Sequence, residues 1–187
     1  MRKNVLKNSL WGFTPWLIIL PLSLFLYGCP YNSSYKIDTE PQILADDTFV
    51  GKWSGIISNE TDLQALKMLV AKKNDYEYEI SFIGRINGLR NFSVLNNDTL
   101  KASAFFSEAA SRRFLNIDIK GQTYIAEFIY KNDKITILPL CEHFTSKIIK
   151  NNAELKMALE YHFKTRLYPL YDDEFTIREL SRIRDNE

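Results

Sequence analysis

FLNIDIKGQTYIAEFIYKNDKITILPL, residues 114–140, is the stretch that decides the fold. Leu115, Ile117 and Ile119 alternate with other side chains, and Gly121-Gln122 turns the chain into Tyr124, Ala126, Phe128 and Tyr130 at the same spacing. Lys131-Asn132-Asp133 turns it again into Lys134–Leu140. Successive side chains on a strand point to opposite faces, so a period of two marks strands with one apolar side. Tight polar joints between such runs mark hairpins.

Upstream the pattern repeats. Leu100–Ser107 places Ala102, Ala104 and Phe106 on one side, after a short Phe92–Leu95 run and a turn-rich passage from Gly84 to Asn91. Asn74-Asp75 separates Leu66, Met68 and Val70 from Tyr76, Tyr78, Ile80 and Phe82. Residues 62–73 admit a second reading, because Leu63, Leu66, Leu69 and Val70 also fall at helical spacing; the partner run across the turn favours a strand. Gly51 to Ser58, with Trp53, opens the series.

Downstream the period changes. Asn151-Asn152-Ala153-Glu154 has capping-box spacing, and Leu155, Leu159, Phe163 and Leu167 recur every four residues with Ala158 and His162 beside them. Lys156, Glu160 and Lys164 take the opposite side, so the spacing predicts an amphipathic helix that stops at Pro169. Thr176-Ile-Arg-Glu179 repeats the capping pattern and predicts a short second helix bearing Leu180 and Ile183. The expected class is mainly β: an antiparallel up-and-down barrel, or strongly curved sheet, of about eight strands with a C-terminal amphipathic helix.

The start of the chain is of another kind. Arg2, Lys3 and Lys7 precede an almost wholly apolar run, Trp16 to Tyr27, and then Gly28. Basic, apolar, small is the order of a secretory signal, and the run is shorter than the roughly 20 residues of a spanning helix. Leu26-Tyr27-Gly28-Cys29 resembles a bacterial lipobox, with Tyr27 where a small residue is commoner. The resemblance implies cleavage after Gly28 and acyl chains, palmitate among them, on Cys29. The organisation expected is a signal peptide over 1–28, a lipid-anchored flexible tether over 29–48, and one β domain with C-terminal helices over 49–187. That domain would sit on the exported side of a membrane, in the periplasm or at the cell surface.

Beyond residue 28 there are 21 basic and 23 acidic residues, a balance that offers no basic surface for nucleic acid. With Cys29 acylated, Cys141 is the one remaining thiol, so no intrachain disulfide can form; its Leu-Pro-Leu-Cys setting reads as a small buried hydrophobe.

Gly51-Lys52-Trp53, at the start of the first strand after a polar leader, resembles the Gly-x-Trp motif of the lipocalins and wider calycins. The layout of about eight strands with a helix packed outside is similar too. The chain departs from the family in lacking a Thr-Asp-Tyr motif near 123–133 and any arginine that its spacing would place on Trp53. The resemblance implies a structural role for Trp53 at the barrel floor and an open end opposite, where a small apolar ligand enters. Tyr78, Phe82, Phe106, Tyr124 and Phe128 are the residues expected to line such a space.

The search for reaction chemistry yields no catalytic residues and no metal set. His143 and His162 have no metal-ligand spacing, and Glu142-His143 reads as a polar turn. Asp172-Asp173-Glu174 could offer oxygen to a hard cation, but a calcium site needs 6–8 oxygens and the loop spacing is absent. No enzyme and no cofactor is expected. Two functions are open: a membrane-tethered cup for a small apolar ligand, or an envelope protein that docks a protein partner. Arg166–Phe175, rich in interface-forming residue types, is the candidate docking segment for the second.

Overall fold

The computed structural model describes residues 31–56, 65–83, 99–173 and 175–183. The order is β1 (Asn32–Ser33), β2 (Gly51–Ile56), β3 (Ala65–Lys72), β4 (Glu77–Ile83), β5 (Leu100–Ala109), β6 (Arg112–Ile119), β7 (Gln122–Lys131) and β8 (Lys134–Pro139). The helix α1 (Asn152–Thr165) and β9 (Ile177–Arg182) follow. From β2 to β9 each strand pairs antiparallel with the next, and β9 pairs back onto β2, closing an eight-stranded barrel. The short β1 adds to β7 beside Thr123 and Tyr124.

Three tight hairpins shape one half of the wall. Ala110-Ser111, Lys120-Gly121 and Asn132-Asp133 all have positive φ, between 51° and 82°. Two such residues in succession make the turn whose twist matches that of the flanking strands. Glycine and asparagine signal the second and third turns. The first is built from residues that rarely adopt this conformation, so β5 and β6 run further than their sequence suggests.

Residues 65–72 form the strand, and not the helix, with Leu66, Met68 and Val70 inside and Lys67 and Leu69 outside. The helix begins where predicted. The Asn151 side chain accepts from the Glu154 amide at 2.9 Å, while Glu154 accepts from the Lys150 amide, one residue earlier than a standard box. It ends sooner than predicted: Arg166 turns left-handed (φ 51°), and Leu167 lies exposed beyond it.

Two expectations are corrected. The second C-terminal helix is instead the closing strand β9, so the helix precedes the last strand. Ile177 and Leu180 both face inward although they stand three apart, a helix-like spacing, because Glu179 (φ 54°) inserts as a bulge opposite Thr136. Segment 31–48, expected as a free tether, is a strap along the barrel. It leaves β1, buries Ile37, and reaches Ala45, whose amide donates to the Asp75 carbonyl. Polar composition concealed it, because only isolated apolar residues are needed to pin an irregular segment to a wall that already exists.

Two apolar layers result. One fills the barrel. The other lies outside β5–β7, where Phe114, Ile125, Leu140, Leu155, Leu159 and Leu170 join Ile37 of the strap. Runs of four buried residues in each of β5, β6 and β7 record this double cover. Outward positions 67, 69, 79 and 83 on β3 and β4 face solvent.

Candidate functional site

The barrel interior comes first, since the lining residues were expected there. Tyr78, Phe82, Phe106 and Phe128 all point inward from β4, β5 and β7 and are buried. Phe49, directly after the strap, enters among them. Its ring lies 5.0 Å from Tyr78, 5.7 Å from Phe106 and 4.9 Å from Phe128; Phe106 in turn touches Tyr78 and Phe128. Tilted and edge-on rings at these separations are in mutual contact. The half of the barrel toward the β3–β4 turn is therefore packed with aromatic rings. Tyr124 stands apart, half-buried, its hydroxyl donating to Gln122 at 2.9 Å. Along β5 the inward residues are Leu100, opposite Phe82 at that other end, then Ala102 opposite Ile80 and Ala104 opposite Tyr78. Phe49 had no sequence signal, because its position relative to the strands could not be read before the strap was known.

Tyr78 is held by more than packing. Its hydroxyl exchanges hydrogen bonds with the backbone of Asp46. Burial, the main cause, pushes the phenol up to about 12. It is an anchor for the strap rather than a proton donor near neutral pH.

At the same end, Trp53 is fully buried, and its indole N–H donates to the Phe49 carbonyl at 2.9 Å. The arginine that spacing did not reveal is Arg182, on the last strand. Its guanidinium lies 4.5 Å from the Trp53 ring and donates to the carbonyls of Val50 (2.7 Å) and Thr48 (2.6 Å). Gly51 explains the first letter of the tripeptide: its φ is +138°, and a Cβ there would stand 2.8 Å from Arg182 Nη1. Trp53, Arg182 and Gly51 thus make one clasp joining the first and last strands of the barrel. Trp53, expected at the barrel floor, is the buried centre of this clasp.

The outer layer holds a charged group that sequence reading missed. Glu127, outward on β7, is 3% exposed. It accepts from Arg112 Nη1 at 2.6 Å and from the Tyr171 hydroxyl, and the Arg112 guanidinium lies 4.5 Å from the Phe163 ring. Beside it Asn116 donates to Ser107 Oγ at 2.8 Å and accepts the Ile37 amide at 2.7 Å. These polar residues occupy outward positions of strands buried on both faces. A glutamate at an alternate position looks solvent-facing until a second layer covers it. The carboxylate is used in joining β6, β7 and the segment after α1.

The other sequence candidates are scattered. His162 is buried on α1, and burial lowers its pKa while a hydrogen bond to the Phe144 backbone opposes this. His143 is exposed. The Cys141 thiol donates to the Pro169 carbonyl at 3.0 Å, and burial, the main cause, raises its pKa, the opposite of a nucleophile's tuning. Cys141 is half-buried rather than enclosed. Asp172 is buried, whereas Asp173 is exposed and pairs with Arg178 at 3.6 Å; Glu174 lies outside the described residues, as does Cys29. Among the described residues no group of three or more His, Cys, Asp and Glu is gathered to hold a metal, and no helix is long and apolar enough to cross a membrane. In the expected docking segment, Arg166, Leu167 and Tyr168 are exposed, while Leu170, Tyr171 and Phe175 pack inward or half-inward.

Comparison with protein families, with curated proteins and with solved structures gives no match to this chain.

Proposed function

We propose that this chain is an envelope lipoprotein, exported by residues 1–28 and anchored through acylated Cys29. Its barrel is a solid body that works by docking through its surface. The observation that carries this is the ring cluster of Phe49, Tyr78, Phe106 and Phe128, which takes up the aromatic half of the barrel. An eight-stranded barrel has room either for its own side chains or for one small ligand. Here four of the five residues expected to line a ligand space are buried in the core, three of them in ring contact. The calycin-like layout is then a scaffold, and no cofactor or catalytic step is part of the reading.

A second reading keeps a small apolar ligand, held at the opposite end of the barrel. Ala102, a small inward side chain between Leu100 and the ring cluster, is what favours it.

Solvent extraction of the purified protein, followed by mass spectrometry, separates the two. The docking reading expects no stoichiometric apolar molecule from the wild type. It also expects Phe106→Ala to gain binding of a small aromatic probe such as benzene, in the space the ring vacates. A stoichiometric apolar molecule from the wild type overturns it. Phe128→Leu serves if Phe106→Ala does not fold. The anchor is tested separately by intact mass of membrane-extracted protein beside Cys29→Ser, where a wild-type chain beginning at Met1 without acyl additions would sink it.

A further inference from the structure

The strap changes what a lipid on Cys29 would do. Tyr31 is already fixed to the barrel: its amide donates to the Leu140 carbonyl at 2.9 Å, its ring meets Phe144 edge-on at 5.3 Å, and β1 begins at the next residue. Only two residue steps separate Cys29 from Tyr31. Fully extended, they span about 7 Å. The backbone of an acylated Cys29 can therefore lie no more than about 7 Å from Tyr31, which sits on the outer layer.

The surface around that point has its own chemistry. Of eleven large hydrophobic residues exposed among the described residues, five lie between 148 and 168: Ile148, Met157, Tyr161, Leu167 and Tyr168. Met157 and Tyr161 are one helical turn apart, on the same face of α1. Lys147 Nζ lies 5.8 Å from the Tyr161 ring, and the exposed Ile148 follows Lys147 in the chain. Leu167 and Tyr168 directly follow the helix, and Cys141, next to the residue that pins Tyr31, is bonded to Leu170. Charge divides the same way. From Glu142 to Tyr168 there are five basic residues and three acidic; the rest of the chain after residue 28 has 16 basic and 20 acidic.

We infer that this face of α1 and its flanks lies on the bilayer surface. Met157, Ile148 and Leu167 would enter the headgroup region, Tyr161 and Tyr168 sit at its boundary, and Lys147, Lys164 and Arg166 meet anionic headgroups. Exposed tyrosines among aliphatic and basic side chains are residue types enriched where protein meets headgroups, and Glu160 is the acidic residue on the same side of α1. The inference rests on the acylation of Cys29 proposed above. Its consequence is an orientation, with the outward face of β3 and β4 turned away from the membrane and free for a protein partner.

The test uses the membrane-extracted protein carrying Cys141→Ser, reconstituted into phosphatidylcholine–phosphatidylglycerol vesicles. A fluorophore is placed at Met157→Cys or at Lys67→Cys on the opposite wall, and nitroxide-labelled lipid is the quencher. Quenching several-fold stronger at 157 than at 67 is expected. Replacing Tyr161 and Leu167 by glutamate should reduce quenching at 157 while leaving the protein on the vesicles. Equal quenching at both sites, or stronger quenching at 67, overturns the orientation. So does a face shielded from aqueous iodide in native membranes but unquenched by lipid in vesicles, which would mean that a protein covers it. Intact mass of the same sample separates the two failures. An unacylated Cys29 removes the anchor and the orientation with it; an acylated Cys29 with 157 unquenched leaves the anchor and refutes the orientation alone.

Discussion

The two walls of the barrel solve the same problem differently. The outward face of β3 and β4 is a single layer over the core, with Lys67, Leu69, Glu79 and Ile83 in water. The outward face of β5–β7 is itself a core, covered by α1, the strap and the segment after α1. On the first wall an outward side chain is close to optional. On the second it is a joint, and its loss opens two layers at once. Alternation in the sequence looks alike on both, so position in a strand alone says little about what a residue is worth.

Opposed substitutions should expose that difference most clearly. Phe114→Ala, outward on β6, is expected to cost about 3–5 kcal/mol, the usual range for a large buried aromatic. Leu69→Ala, outward on β3, should stay within about 0.5 kcal/mol, as surface changes do. Urea unfolding of both variants measures the gap; equal costs would mean that the outer layer contributes nothing.

Arg112→Ala comes next. It leaves Glu127 buried with the Tyr171 hydroxyl still bonded to it, and breaking a buried pair in this way costs roughly 3 kcal/mol, less here because Arg112 is half-exposed. If Arg112→Ala and Arg112→Lys unfold at the same urea concentration as wild type, the charged joint is an ornament of the surface.

The smallest effect is a pH dependence confined to the covered wall. His162 has a folded pKa below its ordinary 6.5 because burial disfavours the cation. The unfolded chain therefore binds the proton more readily, and stability falls as pH drops from 6.5 through the lowered value. Above 6.5 this contribution is complete. Thermal unfolding between pH 7 and 5 should show the slope in wild type and a shallower one in His162→Gln; an unchanged slope would assign it to other groups.

What could be read beforehand was whatever local spacing dictates. The strands over 65–83 and 100–139, the turns at Gly121 and Asn132-Asp133, and the Asn151 cap each depend on neighbours a few residues away, while the expected Phe92–Leu95 run and Gly84–Asn91 turns lie outside the described residues. The features that escaped depend on distant contacts. Arg182 meets Trp53 only after the barrel closes. Ile177 and Leu180 imitate a helix because a bulge stretches the strand between them. Phe49 and Ile37 look like strays in a polar leader until there is a wall to receive them, and Glu127 looks solvated until α1 is laid over it. Of the expected ligand-lining residues, Tyr78, Phe106 and Phe128 pack against one another, a contact that alternation within single strands does not reveal.

The clasp between the two ends of the barrel also bears on time. Among the described residues the seam of β2 with β9 pairs Trp53 with Arg182 and Ser54 with Ser181, reinforced by the Ile183 amide on the Lys52 carbonyl. Its partners are about 130 residues apart in sequence, and contacts that close so long a loop form slowly. A chain emerging N-terminus first exposes the free edge of β2 until nearly everything has followed. Folding of this domain therefore has a late, committing step, and during that interval the unpaired edge is open to capture by a neighbouring chain.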